Sequence, residues 1–171
     1  RPSKSLSITI DYVRSHYLYK IPGPLTDAMF ADDPRQSTRA RNYFSPTIHI
    51  PSISIEYAIG NHYLLLLTTS AVLGRRNSVI YDRPANIADT ILSTGQYASR
   101  QVDIDRYNSK TNELRFLHKY HYRKRPSGIS FGIQYLHNHL HRTQLGKGTT
   151  ASNYDLTLVD PIWGRDLHLK T

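Results

Sequence analysis

Apolar and polar residues alternate with a period of two along much of the chain, the pattern of strands with two unlike faces. In SLSITIDYVRSHYLY (5–19), Leu6, Ile8, Ile10 and Tyr12 alternate with Ser5, Ser7, Thr9 and Asp11. Over 47–60, Ile48 and Ile50 hold one parity and, after Pro51, Ile53, Ile55, Tyr57 and Ile59 hold the other. Pro51 is therefore expected to mark a bulge or an edge where the register shifts. Gly60-Asn61-His62 interrupts the pattern before 63–73, so 53–73 reads as a hairpin. Residues 97–107 alternate loosely, and the polar run 108–112 reads as a turn. Leu114, Phe116, His118, Tyr120 and Tyr122 then share a face, and a turn at 125–128 leads into Ile129, Phe131, Ile133 and Tyr135 as a second hairpin. Short strands are expected over 154–158 and around Leu167 and Leu169.

Two segments break the pattern. Residues 20–44 hold Pro22, Gly23, Pro24, Asp32, Asp33, Pro34, Arg35, Arg39 and Arg41, which predicts a long loop with one helical turn near 26–30. Residues 74–96 hold Gly74, Arg75, Arg76, Pro84 and Gly95, which predicts a second long loop with a short helix over 85–92. There is no internal repeat and no sustained helical period. The prediction is an all-β chain, a single domain over 1–171. It forms an antiparallel barrel of about eight strands, with a β-sandwich or jelly roll as the alternative.

Alternation defines two faces without saying which one is buried. In a soluble sandwich the Ile/Leu/Tyr face packs inward, whereas in a membrane barrel it meets lipid and the Ser/Gly/Gln face fills the lumen. Thirteen Tyr, many near strand ends, and small residues on the polar face (Ser54, Ala58, Ser130, Gly132) favour the barrel. The segments 53–73 and 113–135, with the textures SISIEYAIGNHYLLLL and YHYRKRPSGISFGIQYL, resemble strand pairs of small outer-membrane β-barrels of Bacteroidota. That resemblance implies a place in the bacterial outer membrane and a structural or assembly role, and it transfers no catalytic residue. It predicts a lipid-facing belt of Ile8, Ile10, Ile53, Ile55, Leu65, Leu67, Phe116, Phe131 and Ile133. Strand parity sets a condition. With both long loops on the outer side, turns at 108–112 and 125–128 fall on opposite rims, unless 74–96 conceals a further strand such as 78–83.

Composition limits the partners. The chain has 171 residues and a formal net charge of +9, which favours anionic lipid or lipopolysaccharide, alongside a protein partner in a larger assembly. In the soluble reading, a coat-like structural protein, the same charge favours nucleic acid. The absence of Cys excludes disulfides, thiolate metal sites and a Cys nucleophile. The longest apolar run, 63–67, is far shorter than the roughly 20 residues of a spanning helix, and Arg1-Pro2-Ser3-Lys4 has no signal-peptide pattern.

Candidate chemistry is sparse. His118–Arg125 interleaves cations with aromatics, and Lys119, Arg123, Lys124 and Arg125 are expected to bind anions, with Arg35, Arg39 and Arg41 joining them as a phosphate clamp. His137, His139 and His141 share one face of a strand, the outer two roughly 13 Å apart, so neighbouring pairs can share a metal if a ligand such as His118 or His121 is recruited. A metal-dependent enzyme on this triplet is a third functional reading. Asp103 and Asp105 also share a face. There is no G-x-S-x-G motif, and 146–150 (GKGTT) lacks the frame of a phosphate-binding loop. No cofactor is expected and an enzyme is not favoured.

Overall fold

The computed structural model describes residues 5–89 and 91–171; Arg1–Lys4 and Thr90, on which the reading of the N-terminus and part of the expected 85–92 helix fall, lie outside them. The strands are β1 (Leu6–His16), β2 (Tyr19–Lys20), β3 (Tyr43–Ile59), β4 (Tyr63–Ile80), β5 (Gln101–Tyr122), β6 (Arg125–Lys147) and β7 (Arg165–Lys170), with one helix, α1 (Asp27–Asp32). All seven strands form one sheet in the order β1-β3-β4-β5-β6-β7, with β2 also on β3, and every pairing is antiparallel. The chain is thus all-β, as the alternation predicts. Among the described residues the sheet is open: β1 and β7 each pair on one side only.

The strands are longer than the pattern suggests. Residues 74–80 belong to β4, and 97–107 contributes to a single strand, β5, that runs through the expected turn at 108–112. Polar residues are tolerated there because each still has ladder partners, Asn108 opposite Leu73 and His139, and Asn112 opposite Thr69 and Tyr135. Thr69 Oγ1 also donates to Asn112 Oδ1 at 3.0 Å. The second hairpin turns at Arg123-Lys124, both with positive φ (48° and 64°), which matches the twist of the strands and places Pro126 and Gly128 inside β6.

Pro51 shifts no register: His49 faces Leu73 and Ser52 faces Ser70 in one continuous frame. The change of parity has another cause, since toward the loops the opposite face becomes apolar, with Val13 beside Ile50 and Ser15 beside Ile48. The bulge lies instead between Val102 and Ile104. There Leu145 takes φ 59° and its N–H donates to Asp103 Oδ1 at 2.8 Å. The helical turn near 26–30 forms as α1, capped by Thr26, whose side chain accepts from Met29 N at 3.2 Å. No helix forms at 85–89, and 154–158 contributes only an isolated bridge, Gly148 to Leu158.

The buried interior sits at one end of the sheet. Val79 and Val102, directly paired, are the only fully buried apolar side chains among the described residues; around them lie Arg39, Arg41, Asn42, Ser45, Asn77, Arg100, Asp105 and Thr143. Loops 17–42, 81–100 and 148–164 all meet this end. Trp163 and Leu158 pack on the bare backbone of Gly146, where a Cβ would come within 2.7 Å of the indole. The short turns 60–62 and 123–124 lie at the other end. Because β4 reaches Ile80 and 108–112 is not a turn, the conflict of strand parity disappears.

Candidate functional site

In an antiparallel ladder, directly opposed residues share a face, so the register sorts every side chain. Three consecutive rows are Leu6–Tyr57–Leu65–Phe116–Phe131, Ile8–Ile55–Leu67–Leu114–Ile133 and Ile10–Ile53–Thr69–Asn112–Tyr135. A fourth, Ile59–Tyr63–His118–Ile129, borders them toward the turns. All nine predicted belt residues fall in the first three rows, on one face. None of the described residues covers this face: Ile10 is 75% exposed, Phe131 63% and Ile133 72%. Five strands by four rows measure roughly 20 Å each way, about 400 Å², the size of the largest apolar patches on soluble monomers, which often mark an interaction surface.

Aromatic rings border the belt. Tyr63 stacks on His118 at 4.7 Å and His118 on Tyr120 at 5.5 Å, and Phe116 meets Phe131 in a tilted contact at 5.1 Å, all on the turn side, while Tyr12 and Tyr135 stand on the loop side. The opposite face at the same height is mostly small or polar, apart from Leu64, Leu66 and Leu117. It carries Thr9–Ser54–Thr68–Glu113–Gln134 in one row and Ser7–Glu56–Leu66–Arg115–Gly132 in the next, with Glu113 ion-paired to Arg115.

The predicted anion-binding residues divide between the two ends. Lys119, Arg123, Lys124 and Arg125 are exposed at the turn end, with the Arg123 guanidinium 5.4 Å from the Tyr122 ring. Arg35 is exposed at the loop end, the length of β5 away, roughly 70 Å, so no joint clamp forms. Arg39 and Arg41 are each 2% exposed and are occupied in holding loops together. Arg39 donates to the carbonyls of Thr38, Tyr81, Arg83, Pro84 and Ile87 at 2.7–3.2 Å. Arg41 pairs with buried Asp89, reaches the carbonyls of Ala98, Thr150 and Ala151, and lies 4.0 Å from the Tyr97 ring. Arg100, which local pattern gives no reason to single out, links Arg41 O and Asn153 O, each at 2.8 Å. Burial and then the neighbouring Arg41 charge lower its pKa.

The histidine triplet lies on one face of β6, but its members have different neighbours. His137 is exposed opposite Lys110, and His139 lies between Asn108 and Lys170. His141 faces Arg106 and His168. The donor set that converges is His141, Asp166 and His168. His118 and His121 are not recruited: His118 pairs with Ile129, twelve residues down β6 from His141, about 40 Å. Asp103 and Asp105 serve the loop end, Asp105 accepting from Arg142 Nε at 2.9 Å and pairing with Arg76. No family model, curated protein or solved structure matches this chain.

Proposed function

We propose that the chain forms a stretch of the wall of a bacterial outer-membrane β-barrel, with a structural or assembly role. The observation that carries this reading is the exposed apolar face, four rows tall and edged by aromatics, between an end of tight turns and an end of long loops. Strands cross a bilayer in about 9–11 residues; the four rows of the belt take seven residues of β3 (53–59) and seven of β4 (63–69), and both strands continue past them toward the loops, to 17 and 18 residues in all. The Ser/Thr/Glu/Gln face lines the interior. Short turns belong to the periplasmic rim and long loops to the outer side. Arg123, Lys124 and Arg125 then reach the headgroups of anionic lipid at the periplasmic leaflet and Arg35 the outer surface, while Lys119, opposite Gly128 on the interior face, stands at the periplasmic mouth.

A sheet in lipid cannot leave edges unpaired, so this reading needs further strands along β1 and along the belt-level part of β6, beyond its pairing with β7. The test is fractionation of the expressed protein, with gel mobility compared before and after boiling. Retention in detergent-extracted membranes with heat-dependent mobility is the expected result. A soluble, detergent-independent protein would overturn it, and salt-dependent binding to nucleic acid would then become the question.

A further inference from the structure

Among the described residues, a cluster of metal-ligating side chains that the barrel reading leaves unused lies beyond the belt, where β7 joins β6. We infer that His141, Asp166 and His168 form a binding site for a divalent transition-metal ion of the Zn2+ class, which fastens β7 to β6. The geometry comes from two strands. On β7, Asp166 and His168 are two residues apart and so share a face, and cross-strand pairing puts His168 directly opposite His141. The two imidazole rings stack at 4.0 Å and 15°. Both Nε2 atoms address one carboxylate oxygen, Asp166 Oδ1, His141 at 2.7 Å and His168 at 3.6 Å.

All three donor atoms lie within 4.8 Å of one another. Ligands about 2.0–2.1 Å from a tetrahedral Zn2+ stand about 3.3 Å apart, so the set closes on an ion with shifts of an ångström or so in exposed side chains. Two imidazoles and one carboxylate suit Zn2+, Cu2+ or Ni2+ over the hard ions Ca2+ and Mg2+, which prefer oxygen. Asp166 and His168 are about half exposed, which leaves a coordination position open to water. Next to the cluster, the His139 ring stacks 5.8 Å from His168 with its Nε2 buried and without a hydrogen-bond partner. Arg106 opposite His141 and Lys170 opposite His139 bring positive charge near the site and weaken its affinity.

The site also has a structural consequence. β7 has six residues and is held along one side only, by the ladder 139–144 and the Asn138–Thr171 backbone pair. An ion bridging the two strands adds a cross-link to a short edge strand. None of this depends on the belt meeting lipid.

The test is Zn2+ titration of the full chain, purified in detergent if required, with Cu2+ spin-resonance spectra as a second readout. Expected is saturable binding of one Zn2+ per chain. It weakens in His141→Ala and in His168→Ala by more than the roughly 10–100-fold that loss of an outer-shell partner costs, and it is unchanged in His137→Ala. The Cu2+ spectrum loses one nitrogen ligand in His168→Ala. Asp166→Asn, which keeps the side chain's shape, weakens binding as well and guards against misfolding of the alanine variants. Absence of saturable binding, affinity indifferent to His168→Ala, loss in His137→Ala with retention in His168→Ala, or displacement by Ca2+ would each overturn the site.

Discussion

A guanidinium has five N–H donors in a rigid fork, and Arg39 uses all five on carbonyl oxygens, four of them in the 81–100 loop. Lysine offers three donors from a point charge, so Arg39→Lys is expected to leave several of these carbonyls without their donor almost as badly as Arg39→Ala. Either change should destabilise the loop end by on the order of 3 kcal/mol. Hydrogen exchange of the 81–100 amides measures this; unchanged protection would mean that the fork is not what orders the loop. The carboxylate of Asp155 supplies a pH dependence. Its pKa is lowered first by the Thr149 hydroxyl, which donates at 2.7 Å, and then by Thr157, whose N–H donates at 2.9 Å. A carboxylate with a lowered native pKa contributes stability above the unfolded-state value, lost as pH falls through the native one. The 148–164 loop is therefore expected to loosen below about pH 4, and Thr149→Val to flatten that acid limb by loosening the loop at neutral pH, with little further change at the acid end. Protease cleavage of the loop against pH is the measurement.

At the scale of the strand, one step along the chain changes the environment completely. Ile133 lies in the middle of the belt and Gln134 on the opposite face, donating to Glu113 Oε2. In a barrel wall, Ile133→Arg costs about 2–4 kcal/mol at the bilayer midplane, while Gln134→Arg is tolerated in a polar interior. The fraction of protein recovered as the heat-sensitive membrane form reads the difference; equal loss in both variants would sink the facial assignment. This alternation is what the sequence makes legible, which is why nine belt residues could be named from parity alone. Strand ends were not legible in the same way. Asn108–Asn112 reads as a turn because polar residues break a one-face pattern, yet a strand with both faces wet admits them. Arg123-Lys124 makes a tight turn without the usual Asn or Gly, so Pro126 and Gly128 drew the turn two residues too far along. The metal ligands were half legible: Asp166, His168 and Lys170 alternate with Leu167 and Leu169 just as His137, His139 and His141 alternate on β6, but only the fold makes the two sets neighbours. Arg39, Arg41 and Arg100 carry no sequence signal for their work, since most of their partners are backbone carbonyls.

For the whole molecule, the arrangement of ends gives the barrel-wall proposal a direction as well as a surface. Turns 60–62 and 123–124 lie at one rim and loops 17–42, 81–100 and 148–164 at the other, so the two rims should face different compartments. The chain contains no Cys, and single cysteines can therefore be introduced against a silent background. Gln36→Cys in the first long loop should react with a membrane-impermeant maleimide on intact cells, whereas Asn61→Cys at the first turn should react only after the outer membrane is opened. Along β6 the labelling should oscillate with period two through 129–135, Phe131→Cys and Ile133→Cys shielded by lipid, Ser130→Cys and Gln134→Cys open to an aqueous interior. Beyond the belt the oscillation should fade, because His137, exposed on the same parity as Ile133 and Tyr135, then stands clear of the lipid on the loop side. Reaction of Gln36→Cys and Asn61→Cys at equal rates on intact cells would contradict the sidedness. A flat profile along 129–135 would contradict the belt itself, because a lipid-covered face and an aqueous face at the same height must differ in reactivity from one residue to the next.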